Sequence, residues 1–268
     1  MKQLIKKFVR VFGAELVSSD TLKHWQRQSQ EAVLQQIVTL DQAINTVIDV
    51  GAAHGEWSLA CARIFPDARY ELFEPLVEYG ERLDSAVARL GRAAHHNVAL
   101  HRQPGEMQIN VHPDLVGSSF YRENEDSDVN GYPRSVKVAT LDSVRDAGGF
   151  EPPYLLKIDV QGAEHDVLAG AGRTLEQCAF VVCETSFFNF YEHGGSVGQI
   201  IHLMEQAGFA IYDIFGLSYR PLDGALAQAD LCFVRADSKF RARHEFATAA
   251  QRREVTARLH RLSATTIR

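Results

Sequence analysis

Thr46-Val47-Ile48-Asp49-Val50 is a β-branched apolar run closed by Gly51, with a helical pattern starting at Gly55. A chain that writes strand, tight glycine turn and helix in so few residues is committed to layered β/α packing. The unit recurs. Residues 70–73 read as a strand, 77–90 as a helix with Gly91 past its end, and 96–100 as another strand. Later, 154–160 reads as a strand, 163–175 as a helix, 179–184 as a strand, and 197–208 as a helix capped by Ser196. Strands alternating with helices of this length predict an α/β, Rossmann-like fold whose mostly parallel sheet is covered on both faces. The runs 209–215 and 229–235 have no helix between them, so the sheet should finish with one antiparallel strand.

Between residues 100 and 154 the helical rhythm fails. Met107 to Val111 and Ser135 to Ala139 alternate with period two around a polar stretch, 121–134, which reads as an inserted β-hairpin with a mobile loop. The predicted organisation is a helical preface over 1–44, a catalytic-type domain over 45–236 with its insertion at about 101–139, and a basic helical tail over 237–268. In the preface Ile5, Phe8, Val9, Phe12 and Leu16 share one helical stripe, and Leu22, Trp25, Ala32, Val33, Ile37, Leu40 and Ile44 form a second, with Ser19 or Asp20 as cap. The first stripe is expected to dock on the domain, with peripheral membrane contact as the lesser alternative. Arg10 and Glu15 interrupt its apolar core, which argues against a secretory leader. Over 239–268 the tail carries eight Lys and Arg against Glu245 and Glu254, with Val255, Leu259 and Leu262 expected underneath.

Over all 268 residues, 28 Lys and Arg face 34 Asp and Glu. A net charge of −6 offers no general attraction to a phosphate backbone, so nucleic acid is not an expected partner. Cys61, Cys178, Cys183 and Cys232 are scattered in apolar stretches, which suits reduced, buried thiols and a cytoplasmic protein.

Three places carry chemistry. The turn Asp49-Val-Gly-Ala-Ala-His-Gly55 follows the first strand, where open α/β sheets bind ligands. Ala53 and Glu56 stand where a dinucleotide fingerprint needs glycines, which weakens a nicotinamide oxidoreductase reading. The turn keeps small residues, Gly51, Ala52, Ala53 and Gly55, for close backbone approach. Asp49 is available to a cationic amine and Ser58 lies on the helix that follows. Glu74, before Pro75 at the end of the second strand, suits both hydroxyls of a ribose. The third place is Lys157-Ile-Asp-Val-Gln-Gly-Ala-Glu164, where Lys157 and Asp159 alternate onto one side of a strand that should be apolar throughout. Buried charges that persist are paired and often mark a site, with Glu184 at the next strand end close enough to join it.

These blocks, together with Asn97-Val98-Ala99-Leu100, Gly117-Ser118-Ser119 and Thr140-Leu141-Asp142 in this order, resemble the FkbM family of S-adenosylmethionine-dependent methyltransferases over roughly residues 45–235. The family usually has Asn-Ile where this chain has Ala53-His54, a departure that bears on the contact at the methionine end. The resemblance implies a seven-stranded methyltransferase sheet and O-methylation of a sugar, glycolipid, polysaccharide precursor or secondary metabolite. It places S-adenosylmethionine on Asp49, Gly51, Ala52, Ala53, Gly55, Ser58, Glu74, Pro75, Asn97 and Val98. Asp159 is the candidate base, with Lys157 as its electrostatic partner and Glu164 and Glu184 completing the polar cluster. Asp159 and Glu184 form a candidate pair for Mg²⁺. Acceptor contacts are expected from Tyr121, Asn124 and Tyr132 and from the run Phe187-Phe188-Asn189-Phe190-Tyr191 with His193. A scaffold that binds the cofactor without catalysis is the alternative; it has no reason to retain Lys157 and Asp159.

Overall fold

The computed structural model describes residues 29–125 and 128–266. The stripe over residues 5–16 and the Ser19 or Asp20 cap lie outside the described residues. Helix α1 (Gln30–Thr39) is capped by Ser29, whose hydroxyl accepts from the Ala32 amide at 3.3 Å. It ends five residues before the predicted Ile44, because Asp41 turns to a positive φ of 51°. Its buried Val33, Leu34 and Ile37 each contribute about 1.5–3 kcal/mol of apolar burial.

Ten strands follow. The main sheet holds β1 (Thr46–Val50), β2 (Arg69–Phe73), β3 (Ala93–His96), β7 (Tyr154–Ile158), β8 (Cys178–Ser186), β9 (Phe209–Tyr219) and β10 (Leu226–Arg235). Their spatial order is β3-β2-β1-β7-β8-β10-β9, and only β10 runs against its neighbours. The last strand in the chain thus inserts between β8 and β9 instead of closing the edge. A smaller sheet, β4 (Ala99–Leu100), β5 (Gly105–Val111) and β6 (Tyr132–Ala139), contains the expected hairpin, β5 antiparallel to β6.

Strict alternation sorts the main sheet into two apolar faces. Val47, Leu155, Val182 and Cys232 face α1, α2 (Glu56–Cys61) and α3 (Gly80–Leu90). Ile48, Leu156, Val181 and Phe233 face the other side, which is covered by α4 (Leu141–Gly148), α5 (Glu164–Ala169), α6 (Gly172–Leu175) and α7 (Val197–Gln206). Local chemistry fixes the helix ends. Ser196 and Gln199 form a reciprocal capping box at the start of α7, and Thr140 accepts from the Ser143 amide at the start of α4.

The structure corrects three further predicted boundaries and one predicted burial. The strand expected over 96–100 is two pieces, since Asn97 donates to the Glu74 and Pro75 carbonyls (3.2 and 3.1 Å) and the chain then leaves β2 to pair with β6. The helix expected over 163–175 breaks at Gly170, where a β-carbon would lie 2.3 Å from the His101 carbonyl oxygen. The helix expected over 55–65 is regular only to Cys61 and continues as turns. In the tail, α8 (Ala249–Thr266) forms, yet Val255 is half-exposed instead of lying underneath, and the side chains of Leu259 and Leu262 lie outside what the structure describes. No helix among the described residues is long and apolar enough to cross a membrane. All four cysteines are free and buried.

Candidate active site

At the carboxyl edge of β1 the backbone turns back at Gly51 with φ +76°. A β-carbon here would lie 1.8 Å from the Asp159 carbonyl oxygen, so only glycine lets β1 and β7 close together at this point. The Gly51 and Ala52 amides both donate to the Phe73 carbonyl at 3.0 Å, fixing the turn against β2. Beside it opens a cleft lined on one side by Gly51, Ala53, Glu74, Pro75, Val98 and Asp159. Residues of the insertion, among them Ser118 and Phe120, form the facing wall.

Glu74 is buried at the cleft floor. Its carboxylate accepts from the Ala53 amide (3.1 Å) and the Leu76 amide (3.0 Å). Burial raises its pKa to about 7, against the pull of those two amides. Each oxygen retains a free lone pair, so the carboxylate is oriented by the backbone and still able to accept from a ligand hydroxyl.

The charges of β7 are paired as burial requires. Asp49 and Lys157 are register partners across β1 and β7. The Lys157 ammonium donates to the Gly51 carbonyl at 2.7 Å and sits 3.3 Å from Asp49 Oδ1 and 3.5 Å from Asp159 Oδ2. Burial alone would discharge this lysine, but Asp49 and Asp159 raise its pKa above the ordinary value and keep it cationic. One ammonium therefore ties the glycine turn, the first strand and the candidate base together.

Several residues expected at the cofactor lie elsewhere. Asp49 is fully buried, occupied by Lys157 and by the Ser58 hydroxyl (2.7 Å), so it does not reach the cleft to meet an amine. Ser58 supports Asp49 and is itself buried. Gly55 leaves room for packing, since a β-carbon would lie 2.8 Å from that of Ala86. Ala52 and Asn97 shape the turn and the Glu74 loop through the bonds already described. Glu164 is buried at the start of α5, where Oε1 accepts from the Val160 and Gly162 amides (3.1 and 3.0 Å). It braces the loop after β7, and burial raises its pKa to about 7.

Asp159, Glu184 and Asp230 form a row across β7, β8 and β10, because Glu184 and Asp230 are register partners and Glu184 continues the pairing that sets Lys157 beside Val182. Gln161 Nε2 donates to Asp159 (2.9 Å) and to Glu184 (3.3 Å), while Gln228 Nε2 donates to Glu184 (2.9 Å). An amide donor thus fills the gap between the two carboxylates that Mg²⁺ would bridge. Among the described residues no group of three or more His, Cys, Asp or Glu is placed to hold a metal ion. The residues do not fit the Mg²⁺ expectation.

Burial, reinforced by Asp159 and Glu164, raises the Glu184 pKa to about 9, and burial with Asp159 raises Asp230 to about 7. A carboxyl whose folded pKa exceeds its unfolded value contributes most below the unfolded pKa. That contribution is lost as pH rises through the folded one. The melting temperature is therefore expected to fall between about pH 5 and pH 9. Glu184→Gln, which keeps an oxygen for both amides, should flatten this slope and raise the alkaline melting temperature by roughly 2–4 °C. Calorimetry across the range checks this; an unchanged slope in the variant contradicts it.

The two segments expected to contact the acceptor clasp each other. The Asn124 amide donates to the Phe190 carbonyl (2.7 Å), the Glu192 amide to the Arg122 carbonyl (2.8 Å), and Asn124 Nδ2 to the Asn189 carbonyl (2.8 Å). Tyr121 donates to buried Asp166, and its ring lies 6.3 Å from that of His193. Phe188 lies under the Arg220 guanidinium at 3.8 Å, and Phe187 and Tyr132 are exposed. Only Tyr191 reaches the charged row, donating to Gln161 Oε1 at 2.9 Å. Sequence reasoning missed Gln161, which lies on the cleft. For Gln161 the sequence signal was its place in the loop between Asp159 and Glu164; the structure holds it there at an unusual φ of +54°.

Residues 49–211 match the profile of the methyltransferase FkbM domain. The 2-O-methyltransferase NoeI of Sinorhizobium fredii is 31% identical over 175 residues, spanning 60% of this chain and 71% of NoeI. Among solved structures, a methyltransferase FkbM from Methylobacillus flagellatus superposes with a TM-score of 0.44 at 15% identity, covering 70% of this chain and 43% of that one. The magnesium protoporphyrin IX methyltransferase of Synechocystis PCC 6803, with bound SAM, gives 0.45 at 13% identity over 86% of this chain and 90% of that one. With the domain profile spanning more than half of its length, the chain belongs to the FkbM methyltransferase family.

Proposed function

We propose that this protein is an S-adenosylmethionine-dependent O-methyltransferase acting on a hydroxyl of a sugar, glycolipid or polysaccharide precursor, or secondary metabolite. One observation carries the reading: Glu74 and Asp159 face a single cleft across the Gly51 turn, so a ribose acceptor and a candidate base share one chamber. S-adenosylmethionine, when bound, would supply an electrophilic methyl group. The close backbone approach at Gly51 and the two half-occupied oxygens of Glu74 fit its nucleoside.

The chain's own residues divide the remaining work. Transfer to oxygen is an in-line displacement, so alignment of the acceptor hydroxyl supplies much of the acceleration. Asp159 Oδ2 faces Lys157, and Oδ1 is held by Gln161, so the carboxylate is fixed at the cleft and can take up the hydroxyl proton. Lys157 pairs with the same carboxylate at 3.5 Å and helps to orient it. The name of NoeI, a 2-O-methyltransferase, supports oxygen as the accepting atom.

Glu74→Ala would orphan two buried amides, so Glu74→Gln is the cleaner test. Its affinity for S-adenosylhomocysteine should fall about 10-fold or more, the worth of a charge-assisted hydrogen bond. In the wild type the ionised carboxylate is the better acceptor, so affinity should rise as pH climbs through about 7. Titration calorimetry at several pH values reads both effects; an unaltered affinity in a folded variant refutes the Glu74 role.

A further inference from the structure

A residue other than glycine keeps a φ of +54°, as Gln161 does, only where its surroundings hold it. Two neighbours do so here. The Ser119 hydroxyl of the insertion donates to the Gln161 carbonyl at 2.6 Å, and a β-carbon at Gly162 would lie 2.7 Å from the Tyr191 ring. Tyr191 is confined again at Gly194, where a β-carbon would lie 3.0 Å from its own. Its backbone forms an antiparallel bridge with Glu123, inside the clasp of the two segments expected at the acceptor. Its hydroxyl donates to Gln161 Oε1 at 2.9 Å, and the same amide turns Nε2 to Asp159 (2.9 Å) and Glu184 (3.3 Å). Turned over, the amide would set its oxygen against the Asp159 carboxylate, two acceptors with no proton between them.

We propose that Tyr191 is a positioning residue for the reaction: acting through the Gln161 amide, it holds Asp159 in the orientation from which the carboxylate takes up the acceptor proton. This rests on the base reading given above. Burial, then Glu123, Glu164, Glu184 and Asp159, push the Tyr191 phenol above its ordinary range, so the hydroxyl keeps its proton and donates at neutral pH. The chain from Tyr191 through Gln161 to Asp159 joins the acceptor-side clasp to the reacting group. That role differs from the acceptor contact suggested by the place of Tyr191 in the aromatic run.

The test uses Tyr191→Phe, which keeps the packed ring, beside Gln161→Leu and the double variant, all in the full chain. The first readout needs no acceptor. In nitrogen-15-labelled protein the Gln161 side-chain amide signal, assigned by its loss in Gln161→Leu, should shift in Tyr191→Phe and exchange its hydrogens about 5-fold faster or more, the worth of one neutral hydrogen bond. The second readout is methyl transfer from labelled S-adenosylmethionine to a panel of glycans, glycolipids and polyhydroxylated metabolites. Turnover should fall roughly 5- to 10-fold in Tyr191→Phe, with affinity for S-adenosylhomocysteine within about twofold of wild type. The double variant should be no slower than Gln161→Leu alone, because both changes act through one amide. An amide signal like that of wild type, an unchanged turnover, a matching loss of donor affinity, or losses that multiply in the double variant each overturn the proposal. Wild type that labels no acceptor, or Asp159→Asn that labels as fast as wild type, is a separate failure, that of the base reading itself.

Discussion

Lys157→Met is expected to destabilise the fold by about 3–5 kcal/mol, the cost of stranding a buried charge whose partner has been removed. Asp49 is fully buried and keeps only the Ser58 hydroxyl once the ammonium is gone, while the Gly51 carbonyl loses its donor at 2.7 Å. The double variant Asp49→Leu with Lys157→Met should recover much of that loss, since replacing a whole buried pair by apolar groups is often close to neutral. It should not recover activity, because Asp159 would face the cleft without its cationic neighbour. Urea unfolding of both variants measures this. A Lys157→Met loss below about 1 kcal/mol, the worth of an exposed ion pair, would contradict the pairing described.

Asp159→Asn separates binding from chemistry. The asparagine oxygen can still accept from Gln161, so the loop after β7 and the donor cleft should persist, with affinity for S-adenosylhomocysteine near that of wild type. Turnover should fall roughly 10²-fold or more, as removal of a positioned general base does. The distinguishing pattern is a lower kcat at nearly constant donor affinity. Loss of both together would mean that Asp159 holds the cleft and not the proton.

The strand–turn–helix order was legible because short β-branched runs closed by glycine have few alternatives, and Lys157 and Asp159 stood out because charges in a doubly covered strand need a reason. What escaped depended on tertiary pairing. Nothing local says that Ala99 leaves the line of His96 to pair with Val138, or that Gly170 must pass within reach of the His101 carbonyl. Asp49 was read toward the ligand because it ends its strand near the turn, but its register places it opposite Lys157, which claims it first. Glu164 does belong to the polar cluster, close enough to raise the Glu184 pKa, but backbone amides of the preceding loop hold its carboxylate, which the sequence does not show. Burial and direction, unlike residue type, follow from neighbours distant in sequence.

The reversed strand shows how such neighbours also build the chemistry. By inserting between β8 and β9, β10 sets Asp230 beside Glu184 and brings Gln228 to its carboxylate. The row of raised carboxyls beyond Asp159 is a product of that insertion. Its mutual repulsion costs stability at alkaline pH, in the pattern expected where a fold spends stability on a site.

We propose that this chain moves a methyl group from S-adenosylmethionine to a hydroxyl oxygen whose proton Asp159 takes up. The most direct test supplies the purified protein with donor labelled in the methyl group and a panel of glycans, glycolipids and polyhydroxylated metabolites, and reads products by mass spectrometry with fragment analysis. The expected product carries one labelled methyl on an oxygen of an acceptor, formed by wild type and strongly reduced with Asp159→Asn. A label found on nitrogen or carbon, or formed equally fast by Asp159→Asn, would contradict it.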